Sequence, residues 1–168
     1  VPAVAAGLAA LSAADGEYAL VRDALLQSME ALALTLMPDE PSENAGQQAL
    51  RQVFEPLVKQ CKDLGKQIDA RYKLAAVPAQ AVQDAVDSGG GKAVDKRANS
   101  KRLKELDEAR QGAVGQCGRV GYVFRQIVWL QDRFPQAEMV AVPGLCKVVT
   151  RKEIEAADWS LTPGRFVG

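Results

Sequence analysis

The sequence predicts a mainly α protein, a helical bundle built on a long antiparallel helical hairpin, with a short irregular, β-containing carboxy-terminal tail. Three observations predict it. Apolar residues make up 48 % of the chain and are mostly Ala, Val and Leu, with aromatics at only 5 %, a composition that favours helices because Ala and Leu lose little on entering one. Two long segments carry apolar residues at alternating steps of three and four, the seam of helices that pack on helices. A run of three glycines separates those segments and supplies the hinge of a hairpin. At 168 residues the chain is sized for one core. The helical domain is expected over 1–134 and the tail over 135–168.

The first helix is expected over about 17–37. Tyr18, Val21, Leu25, Met29, Leu32 and Leu36 share one face, Asp15-Gly16 reads as a start signal and Pro38 as a stop. Upstream, the apolar stretch 3–14 reads as a short Ala-rich helix. It is too short to cross a bilayer, which takes about 20 residues. Ser12-Ala13-Ala14 imitates a signal cleavage site, but no basic segment precedes it. The chain opens on Val1-Pro2 and reads as an excerpt of a longer protein. The polar, proline-rich 38–44 is a loop.

The second helix is expected over about 45–76, on the seam Leu50, Phe54, Leu57, Cys61, Leu64, Ile68 and Tyr72. Pro56 removes a hydrogen bond inside it and predicts a kink or a split. Pro78 then opens a weaker helical stretch that ends at the hinge 88–91. The glycines there match no phosphate loop, since Gly91-Lys92 is followed by Ala93.

The third long helix is expected over about 95–134. Its seam is Leu103, Leu106, Ala113, Cys117, Val120, Phe124, Ile127 and Phe134, interrupted by Arg110 and Gln131. Gly112, Gly115, Gly118 and Gly121 recur every third residue. They read as a flat face for close backbone approach, with a break in the helix as the other option. In the tail, 139–142 and 147–150 are short β-branched runs. Thr150 and Glu153 form a capping box for a short helix, and Pro163-Gly164 suits a type II turn.

Zero histidines exclude Ser-His-Asp and Cys-His catalysis, histidine metal sites and histidine proton shuttles. Cys61, Cys117 and Cys146 are widely spaced, so no zinc motif is present and reduced cytoplasmic thiols are expected. Cys61 and Cys117 read as seam packing. Cys146 lies beside Lys147, whose charge favours a thiolate, although a structural thiol is the plainer reading. Twenty-one basic side chains balance twenty-one acidic ones. The cluster Lys92, Lys96, Arg97, Lys101, Arg102 and Lys104 is a candidate for DNA-phosphate contacts, against the plainer reading of a solvated helix start. No catalytic, cofactor or metal residue is assigned.

The tail is the most specific part of the chain. Pro143-Gly144-Leu145-Cys146-Lys147, Thr150, Glu153-Ile154 and Trp159-Ser160-Leu161-Thr162-Pro163-Gly164-Arg165-Phe166-Val167-Gly168 resemble the end of the conserved region in type I restriction-modification methylation (M) subunits, the adenine-N6 DNA methyltransferases. The family motif residues are Gly144, Cys146, Lys147, Pro163, Gly164 and Arg165. Phe166 replaces a common tyrosine and Thr162 a common asparagine. The match covers about the last thirty residues. The family's Asn/Asp-Pro-Pro-Tyr/Phe motif is absent, as is its glycine-containing turn for S-adenosylmethionine. The resemblance therefore implies a carboxy-terminal fragment, non-catalytic and without cofactor, of a parent enzyme that uses S-adenosylmethionine. Its implied partners are the specificity subunit, the catalytic domain of the same enzyme and DNA in the full complex, with no membrane. Arg165 is expected in a structural ion pair or on a phosphate. The competing readings are a stand-alone coiled-coil adaptor and a helical nucleic-acid binder.

Overall fold

In the computed structural model, residues 2–36, 43–88 and 95–167 are described. Helix α1 spans Pro2–Leu36, α2 Asn44–Asp87, α3 Lys96–Arg133 and α4 Arg151–Ala156, and a 3₁₀ turn covers Pro163–Arg165. The helical bundle is as expected, and its order is now visible. α2 lies in the middle; α1 packs on it and α3 packs on it, while among the described residues α1 and α3 are not in direct backbone contact with each other. Both pairs are antiparallel. Gln60 on α2 donates to Ser28 on α1, whereas Arg71, further along α2, reaches back to Asp15. Arg110 on α3 meets Asp69, and Arg51 meets Asp132.

α1 and α2 outrun their expected limits, while α3 keeps to its own within a residue at each end. α1 continues through Asp15-Gly16 to Pro2, because Asp15 is held by Arg71 at 2.6 Å rather than capping a new helix. α2 continues through Pro56 and Pro78 to Asp87. A proline forfeits one backbone bond, but Pro78 is buried against α1, where a Cβ on Gly7 would lie 3.1 Å from its Cδ. Glycine lets α1 close on the proline ring, and that packing holds the helix through. α3 is unbroken across Gly112–Gly118. Asp95 caps it by accepting from the Arg97 and Ala98 amides. The loop residues 37–42, Gly89–Gly91 of the hinge and Lys92 lie outside the described residues.

One consequence concerns membranes. With α1 continuous, Val4–Leu34 is long and apolar enough to cross one by length and composition alone. Asp15, Glu17, Arg22, Asp23 and Glu30 fall within it, and one of its faces is committed to α2.

The α2 seam behaves as expected: Leu57 is buried and Leu50, Phe54, Cys61, Leu64, Ile68 and Tyr72 are half-buried. On α1 the packed positions include Tyr18, Val21, Leu25 and Leu32, but Ser28 takes the place of Met29, which is 51 % exposed. On α3 Leu103, Cys117, Phe124 and Phe134 of the expected seam are half-buried, while Leu106, Ala113, Val120 and Ile127 are displaced from it. The half-buried positions are Leu103, Asp107, Arg110, Val114, Cys117, Gly121, Phe124, Val128 and Gln131, again at steps of four and three. Leu106, Val120 and Ile127 are each more than 40 % exposed.

The core is consequently thin. Among the described residues, Ala14, Leu25, Leu57 and the ring of Pro78 are the buried apolar side chains. The surface is 12148 Å², against about 8,000 Å² for a compact monomer of this mass.

The tail forms no strand among the described residues. A single antiparallel bridge joins Val142 and Cys146, closing a tight turn whose tip is Pro143-Gly144-Leu145. The β-branched runs on either side lack a neighbouring strand to pair with.

Candidate docking surface

The α2–α3 interface is mixed rather than apolar. Arg110 donates to Asp69 at 2.7 Å and to Asp107 at 2.8 Å, with its guanidinium 5.0 Å from the Tyr72 ring centre. Asp69 and Asp107 in turn stabilise the Arg110 cation, and the Arg110 hydrogen bond holds the Asp107 carboxyl below its usual range. The two residues that interrupt the apolar pattern thus tie α3 to α2. Gln131, the second of them, donates to the Gln47 carbonyl at 3.2 Å, and its own Oε1 is buried without a partner. At the same end, Asn44 and Gln48 both donate to the Pro135 carbonyl. Cys117 packs at Gly65, where a Cβ would lie 3.5 Å from the cysteine Cβ. Burial, and then the facing Cys117, push the Cys61 thiol up.

Beside this interface an apolar trough stays open. Leu50, Phe54 and Val58 line it from α2, and Val120, Val123 and Ile127 from α3, around a hollow of about 470 Å³. A second hollow of about 420 Å³ lies between α1, α2 and α3, with Tyr18, Ile68, Tyr72, Leu106 and Ala113 in its walls. Leu106, Ala109, Ala113, Gln116, Val120, Val123 and Ile127 run at steps of three and four along α3, so the two hollows share one flank of that helix. That spacing is the one an amphipathic helix uses to seat in a groove.

The glycines of α3 do not form one flat face. A step of three falls 60° short of a full turn, so four glycines wind half way round the helix. Gly112, Gly115 and Gly118 face open space, and only Gly121 approaches α2, with a Cβ position 3.9 Å from Val58.

The basic cluster at the start of α3 is dispersed and partly neutralised. Lys96 pairs with Asp87, Lys101 with Glu105 at 3.7 Å and Lys104 with Glu108 at 3.8 Å. Arg97 and Arg102 stand on the same exposed segment.

The tail motif residues assemble into a clasp. Gly144 adopts a left-handed φ of 73°, open to glycine at no steric cost, and donates to the Val167 carbonyl at 2.7 Å. Cys146 bonds Val142 through its backbone and points its thiol at the Val140 carbonyl. Lys147 pairs with Glu153 at 3.1 Å. Glu153 also accepts from the Thr150 amide and hydroxyl, completing the expected capping box. The Thr150 backbone bond, then Lys147, take the Glu153 carboxyl down to about 2. Pro163–Arg165 is a 3₁₀ turn, not a type II turn: Gly164 is not left-handed, and Phe166 donates to the Pro163 carbonyl. Arg165 donates to the Ala157 carbonyl at 2.9 Å. It therefore caps the exit of α4 instead of meeting a carboxylate, because a cation suits the negative end of a helix.

Among the described residues, no group of three metal-ligating side chains is gathered. In comparisons with protein-family models, curated proteins and solved structures, nothing matches the chain.

Proposed function

We propose that this chain is the carboxy-terminal helical docking region of a type I methylation subunit. The parent enzyme would transfer a methyl group from S-adenosylmethionine to adenine N6, taking the adenine out of the duplex to do so. The observation that carries this reading is the tail motif from Pro143 to Gly168. Its support is physical as well as textual. Gly144 holds a left-handed φ that favours glycine, and Lys147 and Arg165 each make a side-chain bond that closes the clasp.

The exposed apolar flank of α3 supports a docking role. A helical bundle with four buried apolar side chains among its described residues gains much from a partner that covers Val120, Val123 and Ile127. The specificity subunit and the catalytic domain of the same enzyme are the partners in this reading. Catalysis and cofactor binding would lie in the catalytic domain.

The test is co-expression with a type I specificity subunit. A complex should form and survive gel filtration. V120D/I127D should abolish it while the chain keeps its helicity. Docking unaffected by V120D/I127D, or tight calorimetric binding of S-adenosylmethionine to this chain alone, would overturn the reading.

A further inference from the structure

We infer that Cys61 on α2 and Cys117 on α3 form a reversible disulfide when the chain meets hydrogen peroxide, tying the two helices together near mid-length. This goes beyond the docking role and does not rest on it.

The register of the helix pair places the two side chains at one level. Gln131 on α3 donates to the Gln47 carbonyl on α2 at 3.2 Å. Fourteen residues further along α2 is Cys61, and fourteen residues back along α3 is Cys117. The helices are antiparallel, so both counts run the same way, about 21 Å from that bond at the helical rise. The bond of Arg110 to Asp69 sets the same level from the other end. From it Cys61 lies eight residues back along α2 and Cys117 seven residues on along α3. Cys117 packs at Gly65, where a Cβ would lie 3.5 Å from the cysteine Cβ. Cys61 is one turn from Gly65 on the same face of α2, a separation of about 5–6 Å between Cβ atoms. A disulfide needs its Cβ atoms about 3.5–4.5 Å apart. A slide of α3 by less than one turn therefore brings the sulfurs together, and Gly65 has no side chain to resist it.

Both thiols are free and half-buried, within reach of an oxidant as small as hydrogen peroxide. One thiolate attacks a peroxide oxygen and breaks the O–O bond, leaving a sulfenic acid and a hydroxide that takes up a proton. The second thiolate attacks the oxidised sulfur, forms the S–S bond and expels a second hydroxide, which is also protonated. Two thiols and one hydrogen peroxide become one disulfide and two waters, and two electrons pass from sulfur to oxygen. A dithiol reductant reverses the bond by exchange. Burial and the neighbouring Cys117 raise the Cys61 thiol, so closure speeds up as pH rises from neutral. Cys146 is no rival partner, because it lies in the tail clasp with its thiol 3.5 Å from the Val140 carbonyl. Cysteines serving only as small core side chains have no need to share a level across two helices.

The experiment treats the full native chain with hydrogen peroxide, blocks the remaining thiols, digests without reductant and maps linked peptides by mass spectrometry. A Cys61–Cys117 link should form within single chains, which become lighter by two hydrogen atoms, and dithiothreitol should remove it. C146S should form the same link, and C61S and C117S should not, with circular dichroism showing the three variants folded. If a serine variant does not fold, the peptide maps of wild type and C146S decide. The linked chain should melt at a higher temperature than the reduced one, because the bond closes a long loop in the unfolded state. Links through Cys146, links mainly between chains, or sulfinic acid at Cys61 or Cys117 in place of a link would overturn the inference. So would a Cys61–Cys117 link that forms in urea but not in the native chain, or one that lowers the melting temperature, since either shows that the fold holds the sulfurs apart.

Discussion

Arg110 on α3 and Asp69 on α2 are bonded at 2.7 Å in the middle of the longest helix pair, with Asp107 bonded to the same guanidinium from within α3. Replacing Arg110 by Ala leaves two carboxylates facing each other without a cation. Thermal denaturation should show a lower midpoint for R110A at neutral pH. The Asp107 carboxyl is depressed in the folded state, so its contribution is present above the ordinary carboxylate range and is lost as pH falls through its folded pKa. The gap between wild type and R110A should therefore narrow in acid. An unchanged midpoint would show that the bond stabilises nothing.

The three glycines that face open space offer a second prediction. Alanine should gain up to about 1 kcal/mol of helix stability at each of Gly112, Gly115 and Gly118, since nothing stands where the methyl would go. At Gly7 the sign reverses. A methyl there meets the Pro78 ring at 3.1 Å, so G7A should push α1 from α2 and lower stability. Urea denaturation of the triple variant and of G7A checks both signs.

Core and flank differ in cost. L57A removes a side chain only 8 % exposed and should cost about 2–5 kcal/mol. I127A removes one that is 46 % exposed and should stay within about 1 kcal/mol in the isolated chain. Its larger effect should appear in partner binding. Equal losses in denaturant would mean that the trough is closed in solution.

The tail should respond to acid on its own. Glu153 falls to about 2 in the folded chain from an ordinary 4.5. Its depressed value means that the capping box and the Lys147 pair are fully stabilising above about 4.5 and are lost as pH falls toward 2. The protection of α4 amides, measured relative to the intrinsic exchange rate at each pH, should fall over that window and stay level above it. T150A should accelerate α4 exchange at neutral pH, as expected for a lost cap worth about 1 kcal/mol.

Cys61 should alkylate more slowly than an unstructured cysteine peptide at mildly alkaline pH, since its raised pKa leaves less thiolate. Mass spectrometry of a timed reaction reads this directly. Denaturation should remove the protection.

Much of the tail clasp was legible because its signals are local. Thr150 and Glu153 are three residues apart, and a capping box needs nothing more distant. The Arg165 partner was not legible, because a helix exit at Ala157 competes with any carboxylate and only the folded turn brings it near. The start of α1 was missed for a related reason. Asp15-Gly16 has the chemistry of a cap, yet Arg71 claims that carboxylate from 56 residues away. Pro78 reads as a stop until Gly7 is seen against it.

What the sequence determined by itself is periodicity: three long helices, their steps of three and four, and the α2 seam from Leu50 to Tyr72. Tertiary structure decided which stripe of α3 meets α2. Leu106 and Asp107, or Val120 and Gly121, are neighbours 100° apart on the helix, so a small rotation exchanges one stripe for the other. The ion pair of Arg110 with Asp69 and the close fits at Gly65 and Gly121 turn Asp107, Val114, Gly121 and Val128 inward in place of Leu106, Ala113, Val120 and Ile127. Leu106, Val120 and Ile127 are left on the open flank beside the two hollows, and that rotation, invisible in the spacing alone, creates the surface proposed for docking.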